Sequence, residues 1–331
     1  MSITEKYTKQ KQRKDSFIDF NRNFGTKEQQ IDFFITLHFP HGFICDRCQC
    51  RDYYLIKRKG IKNGYILECA DCGYQYSLLE GTIFQDSNLD LYQVLIGLYL
   101  FFTANKGISA PDMANRMDVS VKTARRYLRK FRILMADSNN DHILDSQFYE
   151  ADIIEVGGRK KNGQRGRAAD KSQVLLVLAT EQDNRYPTYM KLHVLPGHKA
   201  KPIEEYMTSH IVLDKTRTVT TDSDTSFKWL TSYVNHQGDK VDYTKDDAKM
   251  YWLNIFASNF ENNIKTIYHG VARRDLPLYL AEQEWRENHR YTGKYFMEKV
   301  HDYLMRCRPM TNREITDTLD LYKKSFLNKP A

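Results

Sequence analysis

Four cysteines stand in two pairs that have the spacing of metal ligands. Cys45 and Cys48 form one C-x2-C pair, 20 residues follow, and Cys69 and Cys72 form the second pair. Each pair can place two thiolates on one metal ion, and two such turns complete a tetrahedral site. Thiolates suit Zn2+, and four protein ligands leave no open coordination position for catalysis. The spacing therefore predicts one structural Zn2+.

Two neighbouring residues bear on this zinc site. Gly73 directly follows the last cysteine and suits the tight turn that such a pair requires. Cys50 is close enough to compete as a ligand, but its use would break the paired spacing. An iron–sulfur site and a redox pair are the alternative interpretations, and neither accounts for both pairs as simply.

Two aspartates stand where strands could hold them beside a cation. Asp152 lies in the strand-like run FYEADIIEV, whose alternation puts it on one face with Glu150 and leaves Glu155 on the other. Asp222 ends a second strand-like run 70 residues later. A carboxylate in an apolar strand needs a partner or a cation, because burying it alone is costly. The two aspartates suggest a Mg2+ site, although an acid at a strand end is often an ordinary turn residue.

Residues 107–132 predict two short helices joined by a tight turn at Asp118 and Val119. Ser120 can cap the second helix, whose apolar stripe would pack on the first. The opposite face of the second helix carries Lys122, Thr123, Arg125, Arg126 and Arg129. Such a face is typical of the recognition helix of a helix-turn-helix domain, in which arginines contact bases and phosphates. The alternative is an ordinary helical hairpin with a basic solvent face.

The charge balance favours a polyanionic partner. The chain has 50 Lys and Arg against 42 Asp and Glu, which gives a formal net charge of +8. Basic runs occur at residues 9–14, 125–130 and 159–167. Any one of these runs could be a solvated face, so they favour DNA binding only in combination with the motifs above.

The sequence predicts a soluble, cytoplasmic protein. The longest apolar candidate, Leu89 to Ala104, is shorter than a membrane span and is interrupted by Asp90, Gln93 and Gly97. The polar and charged amino terminus does not have the apolar segment of a secretory signal. In a reducing compartment, clustered cysteines indicate metal more often than disulfides.

Changes of pattern along the chain predict a multidomain α+β protein. Residues 1–40 form a helical segment, 41–87 the zinc ribbon, 88–140 the helix-turn-helix domain, 145–305 a domain of strands followed by helices, and 306–331 a tail. Within the fourth of these regions, helices are expected over 246–266 and 273–305.

In the order of its motifs, the chain resembles the DDE transposases of bacterial insertion sequences, specifically insertion-sequence family fifteen-ninety-five, the zinc-ribbon relatives of insertion sequence one. The resemblance runs from about Phe17 to Arg290. Its motifs are HFPHGFICDRC, CADCGYQYSLLEGTIF, the helix-turn-helix, EADIIEVGG with RGRAADK, TTDSDTS, IYHGV and LYLAEQEWRENHR. It implies an RNase H-like catalytic domain at 145–305, in which Asp152 stands on the first strand and Asp222 follows the fourth.

The third acid is where the chain departs from the family. Asn254 stands where the family has Glu, or Asn in some branches, and Glu261 stands seven residues on, where relatives often have Lys. Seven residues are about two helical turns, so both project from one face about 10 Å apart. An Asn oxygen can bind Mg2+ but brings no charge, so Glu261 or Glu155 would have to compensate. We expect Asn254, rather than Glu261, to be the third ligand.

The resemblance implies a transposase that binds the terminal inverted repeats of its element and target DNA. Two Mg2+ or Mn2+ ions, held by Asp152, Asp222 and Asn254, would support strand cleavage and strand transfer. His269 is expected either to contact the scissile phosphate or to pack. The basic insert between the first two strands would hold DNA through Arg159, Lys160, Lys161, Arg165, Arg167 and Lys171. By analogy, a homodimer or larger complex is expected on DNA in the bacterial nucleoid.

Two other classes of protein fit the same motifs. One is a domesticated or catalytically decayed DNA-binding protein or repressor, which would keep the ribbon and the helices without cleaving DNA. The other is an RNase H-like nuclease that acts without strand transfer. Cation-dependent cleavage and joining of DNA distinguish the three.

Overall fold

The chain forms two compact units in its computed structural model. The described residues are 15–60, 64–140, 142–156, 171–181, 186–197, 199–238 and 250–290, together with 300, 304, 313 and 314. Up to residue 290, one unit contains residues 15–104 and 110–134, and the other contains 105–109 and 135–290, counting described residues only. Within this part of the chain, no helix has both the length and the apolar character needed to cross a membrane.

The first unit begins with two short helices, α1 (Phe17–Phe24) and α2 (Lys27–His38). Each begins at a capping box, formed by Ser16 with Asp19 and by Thr26 with Gln29, because these side chains bind the amides that a helix start leaves without partners. The described residues of the predicted amino-terminal helical segment belong to the same compact unit as the ribbon and the next helices.

A three-stranded antiparallel sheet follows, with strands β1 (Tyr53–Lys57), β2 (Tyr65–Cys69) and β3 (Gln75–Ser77) in the order β1-β2-β3. The central strand β2 ends at Cys69, which pairs with Tyr53 at the start of β1. The sheet therefore places Cys69, the first cysteine of the second pair, beside the start of β1, the strand that follows the first cysteine pair.

Three helices complete the first unit: α3 (Leu91–Thr103), α4 (Ala110–Met117) and α5 (Val121–Asn140), the last of which continues into the second unit. Gly97 of α3 allows close packing against α4, because a Cβ there would lie 2.8 Å from the Met117 side chain. The turn between α4 and α5 is made by Asp118 in a left-handed conformation with a φ of 52°.

The second unit is built on a five-stranded mixed sheet. Its strands are β4 (Phe148–Val156), β5 (Ser172–Glu181), β6 (Tyr186–Leu195), β7 (Thr218–Thr221) and β8 (Asn235–Gly238), in the order β6-β5-β4-β7-β8. The first three strands are antiparallel to one another, while β7 runs parallel to β4 and β8 parallel to β7.

Helices cover both faces of this sheet. Helix α6 (Ala200–His210) and a 3₁₀ helix (Thr225–Ser232) lie on one face, and α7 (Tyr251–Thr266) and α8 (Leu276–Asn288) lie on the other. Alternation along β4 assigns its side chains: Tyr149 shares the core beneath α6, and Ile154 shares the core beneath α7 and α8.

Buried ion pairs hold α8 in place. Lys191 of β6 lies 3.3 Å from Glu284, whose other oxygen accepts the amide of Leu192 at 2.9 Å. Arg286 pairs with Glu282 within α8 at 2.7 Å, and all four charged side chains are buried. The acids of the motif LYLAEQEWRENHR therefore have structural partners inside the fold.

Candidate functional site

The four predicted zinc ligands lie together. All four Sγ atoms fall within 4.8 Å of one another. The Sγ atoms of Cys45 and Cys72 are 3.6 Å apart, and those of Cys48 and Cys69 are 3.4 Å apart. A Zn–S bond of about 2.3 Å places sulfurs about 3.8 Å apart in a regular tetrahedron. The cluster therefore fits a structural Zn2+.

Two equivalent turns present these cysteines. The residue after the second cysteine of each pair has a left-handed backbone, with a φ of 63° at Gln49 and 67° at Gly73. Each of these residues donates its amide to the first cysteine of its pair, Gln49 to the Cys45 carbonyl at 2.8 Å and Gly73 to the Cys69 carbonyl at 3.1 Å. The turn expected at Gly73 is present, and it has a counterpart at Gln49.

Cys50 does not belong to the sulfur cluster in the described part of the chain. Its Sγ accepts the amide of Asp52 at 3.4 Å and lies 3.6 Å from the carbonyl of the same residue. A tyrosine supports the cluster instead: the Tyr76 hydroxyl donates to the Cys45 Sγ at 3.5 Å and accepts the amide of Asp46 at 2.8 Å. Such outer contacts orient metal ligands.

The two predicted aspartates lie side by side in the second unit. Strands β4 and β7 are parallel, with Phe148 opposite Thr218 and Ala151 opposite Thr221, so the next step in register places Asp152 opposite Asp222. Neighbouring strands are about 4.8 Å apart, and residues in register share a face of the sheet. The neighbours of Asp152 along the strand, Ala151 and Ile153, face the core beneath α6. Asp152 therefore lies on the other face of the sheet, which α7 and α8 cover.

The surroundings of Asp152 disfavour its negative charge. Burial, together with the charges of Asp222 and Asp224, raises the pKa of Asp152 to about 6. One Asp152 oxygen accepts the amide of Ile153 at 2.7 Å, and one Asp222 oxygen accepts the amide of Asp224 at 3.1 Å. A divalent cation would relieve this repulsion between carboxylates, so the chemistry of the cluster suits a hard cation.

Asn254 and Glu261 differ in what surrounds them. Asn254 lies in the first turn of α7, where its side-chain nitrogen donates to the Met250 carbonyl at 2.9 Å, which leaves its oxygen for a cation. Glu261 forms an ion pair with Lys265 at 2.9 Å, with 41% of its side chain exposed. Seven residues separate them by about 10 Å along the helix.

Glu150 connects strand β4 to helix α7, although the sequence pattern gave it no role. Its carboxylate accepts the amide of Met250 at 3.2 Å and that of Leu253, both at the start of α7. It is 1% exposed, and burial raises its pKa to about 7. The signal that could have found it is its place on the same face of β4 as Asp152.

Of the other predicted catalytic and basic residues of the second unit, the structure describes His269 and Lys171. His269 is exposed beyond the far end of α7, and the 12 residue steps from Asn254 to Thr266 span roughly 18 Å of helix. Lys171 forms an ion pair with Glu155 at 3.0 Å, so that glutamate is engaged as well. The predicted DNA contacts Arg159, Lys160, Lys161, Arg165 and Arg167 lie outside the described residues.

The basic face of α5 is presented as the sequence predicts. The Ser120 hydroxyl caps the helix by accepting the amide of Thr123 at 3.1 Å. Lys122, Arg125 and Arg126 are exposed, and Thr123 and Arg129 are half-buried. The apolar stripe opposite is buried at Ala124, Leu128 and Phe131. Its first member, Val121, is 38% exposed because it occupies the first position of the helix.

The fold and these sites define a zinc-ribbon protein with an acidic cluster in a mixed α/β domain, and comparisons with known proteins place it in a family. Residues 25–75 match the family described as transposase zinc-ribbon domain, and residues 147–288 match the ISXO2-like transposase domain. The chain belongs to insertion-sequence family fifteen-ninety-five, whose zinc-ribbon and transposase domains it carries in order.

A relative supports this assignment. The uncharacterized protein in transposable element ISH50 of Halobacterium salinarum is 23% identical over 302 residues, which cover 84% of this chain and 97% of that protein. The matched transposase domain contains β4 with Asp152, Asp222 directly after β7, and the helix that carries Asn254.

Proposed function

We propose that the protein is a transposase that binds the ends of its insertion sequence and carries out cation-dependent cleavage and transfer of DNA strands. The observation that carries the proposal is the register of the parallel strands β4 and β7, which sets Asp152 beside Asp222, the residue directly after β7, inside the matched transposase domain. Three antiparallel strands followed by two parallel ones support an RNase H-like domain. The α4–α5 pair supports a helix-turn-helix.

The proposed catalytic residues act as cation ligands. Asp152 and Asp222 would hold two Mg2+ or Mn2+ ions with the Asn254 oxygen, and these ions would activate the nucleophile and stabilise the attacking and leaving oxygens. This mechanism requires no covalent nucleophile from the protein. Water would first cleave the phosphodiester and release a 3′-hydroxyl, and that hydroxyl would then attack the target strand, so the same residues serve both steps.

The test of this proposal uses end-labelled DNA that carries the inverted repeats flanking the gene, incubated with the purified protein and Mg2+ or Mn2+. We expect cleavage that leaves a 3′-hydroxyl, and a joined product when target DNA is added. Specific binding without cleavage would instead support a repressor. Cleavage without joining would support a nuclease, and either result would overturn the proposal.

Replacing Arg125 and Arg126 together by Ala is expected to weaken binding to the inverted repeats. Both side chains are exposed on α5, and each phosphate contact removed lowers the salt dependence of binding by about one unit of slope. We expect affinity to fall roughly 10- to 100-fold, since a base contact is worth about 1–3 kcal/mol. Electrophoretic mobility shifts at several salt concentrations measure both quantities.

The matched control for this variant is Lys201→Ala. Lys201 is an exposed cation on α6 that lies 3.9 Å from Glu205. We expect its replacement to leave both affinity and salt slope unchanged. Unchanged binding by the double arginine variant would identify α4 and α5 as a helical hairpin with a solvated basic face.

Asn254→Ala is expected to impair cleavage far more than Glu261→Ala. Asn254 has its side-chain oxygen available, whereas Glu261 pairs with Lys265 about two helical turns away. We expect a loss of about tenfold or more for the first variant and less than about twofold for the second. Asn254→Glu, which adds the missing charge, should lower the Mg2+ concentration needed for half-maximal cleavage. The assignment is wrong if Glu261→Ala is inactive and Asn254→Ala is not.

A further inference from the structure

Glu150 is a buried carboxylate whose observed hydrogen bonds cross from the sheet to a helix. It stands on β4, and its Oε1 accepts the Met250 amide at 3.2 Å. The Leu253 amide donates to the same carboxylate. Its Oε2 is buried and has no hydrogen-bond partner among the described residues. Both donors belong to the start of α7, which lies 100 residues later in the chain.

Helix α7 depends on this carboxylate for its amino-terminal cap. Amides in the first turn of a helix have no partners within the helix. At the N-cap position of α7 stands Met250, whose side chain makes no capping hydrogen bond. Its φ of 65° is left-handed, a conformation that is unfavourable for methionine and persists only where surrounding contacts fix it. Glu150 supplies from β4 the acceptor that the helix sequence does not provide.

The same contact lies next to two of the three proposed cation ligands, Asp152 and Asn254. Glu150 and Asp152 are two residues apart on one face of β4. Leu253, which donates to Glu150, is followed directly by Asn254. The carboxylate therefore links the strand of Asp152 to the helical turn of Asn254. Glu155 and Glu261 do not make this link, since Glu155 is paired with Lys171 and Glu261 with Lys265.

We propose that Glu150 is a positioning residue that holds the first turn of α7 against β4, so that Asn254 stays at the cation site of Asp152 and Asp222. The role of that site rests on the proposed function, while the contact between Glu150 and α7 does not. Because Glu150 acts through hydrogen-bond acceptance, an amide of the same shape should retain most of its effect. A residue that cannot accept a hydrogen bond should lose it.

The experiment compares Glu150→Ala with Glu150→Gln. Glu155→Ala is the matched control, because Glu155 lies on the same strand but on the opposite face. Amide hydrogen exchange at Met250 and Leu253, Mn2+ affinity and DNA cleavage are measured for each. We expect Glu150→Ala to speed exchange at both amides by about tenfold or more, since losing the acceptor opens the turn locally. It should weaken Mn2+ binding by about tenfold, the usual effect of losing a residue that supports a metal ligand.

Glu150→Gln should restore all three properties to within about threefold of the parent protein, and Glu155→Ala should change none of them. If Gln binds Mn2+ as poorly as Ala while exchange stays normal, Glu150 is a metal ligand and the proposal is overturned. Unchanged exchange in Glu150→Ala overturns it as well. Should that variant fail to fold, Glu150→Asp replaces it. The shorter side chain keeps the charge but withdraws the acceptor, so exchange should again increase.

The exchange measurement separates this proposal from the proposed function. If the parent protein neither binds Mn2+ nor cleaves DNA, the transposase activity is refuted, while exchange still tests the contact between Glu150 and α7. If the parent protein cleaves DNA and Glu150→Ala exchanges and cleaves normally, only the positioning role is refuted.

Discussion

Asp152→Asn is expected to abolish cation-dependent cleavage of the element ends, and Asp222→Asn to do the same. Asn has the shape of Asp, so the hydrogen bond from the Ile153 amide to Asp152 and that from the Asp224 amide to Asp222 can be kept. What is lost is the negative charge that faces the cations. We expect cleavage to fall by at least about a hundredfold, since charge stabilisation at a reacting centre is among the largest catalytic effects.

Cleavage should be lost while the stability of the fold is kept, which distinguishes the loss of charge from misfolding. Burial raises the pKa of Asp152 from 3.8 to about 6, so the folded state favours the neutral acid. Because proton binding is linked to folding, the stability that the neutral Asp152 contributes is fully present below pH 3.8 and is lost as pH rises through about 6. The charge therefore destabilises the cation-free protein at neutral pH, by at most about 3 kcal/mol. Asp152→Asn should melt at or above the parent temperature at pH 8.

The control for these variants is Glu155→Gln, which removes a charge from the same strand on the face away from the cluster. It should cleave normally. Binding to the inverted repeats and the melting temperature without added cations are measured beside cleavage for all variants. Equal products from the parent protein, Asp152→Asn and Asp222→Asn would exclude these aspartates as the source of activity.

The sequence was most informative where the interacting residues are close along the chain. The two cysteine pairs predict their own site because each pair lies within one turn, and the four sulfurs do meet. Alternation in β4 places Asp152 and Glu150 on one face, because strand periodicity is local. The stripe of α5 follows in the same way, except at Val121, where the helix begins.

Contacts between distant segments were much harder to predict. The alignment of Asp152 with Asp222 depends on the register between β4 and β7, which no local pattern specifies. The partners of Glu150 are backbone amides, which have no sequence signature. Strand β8 has the sequence NHQG, which lacks the β-branched residues and the Phe, Tyr and Trp that favour strands. It is a strand because it pairs with β7, and its own residues do not predict that pairing.

Helix ends were also misplaced by the sequence pattern. The helix expected over 246–266 begins at Tyr251, and the residues before Met250 lie outside the described part of the chain. The helix expected over 273–305 is α8, which begins at Leu276 with Pro277 in its first turn and ends at Asn288. Apolar periodicity continues past a helix end, so it cannot locate one.

Removing zinc is expected to unfold the ribbon and abolish binding to the inverted repeats. Cys45 and Cys69 are buried, and short strands such as β3 cannot hold the sheet together without the metal. A structural Zn2+ site contributes on the order of 10 kcal/mol to the folding of small zinc domains, which exceeds what three short strands supply. Chelation, or Cys69→Ser, should therefore eliminate the ribbon signals in an NMR spectrum. The sheet of the second compact unit should keep its signals.

Zinc content and two control variants test the ligand set. The parent protein should contain one Zn2+ per chain and no iron or acid-labile sulfide, because iron or sulfide would indicate the alternative iron–sulfur site. Cys50→Ser should keep its zinc, because that sulfur is not one of the four Sγ atoms that lie within 4.8 Å of one another. Gln49→Gly should hold zinc at least as well as the parent, since glycine adopts the left-handed turn without strain. Loss of zinc from Cys50→Ser would place that thiol among the ligands and contradict the four-sulfur cluster.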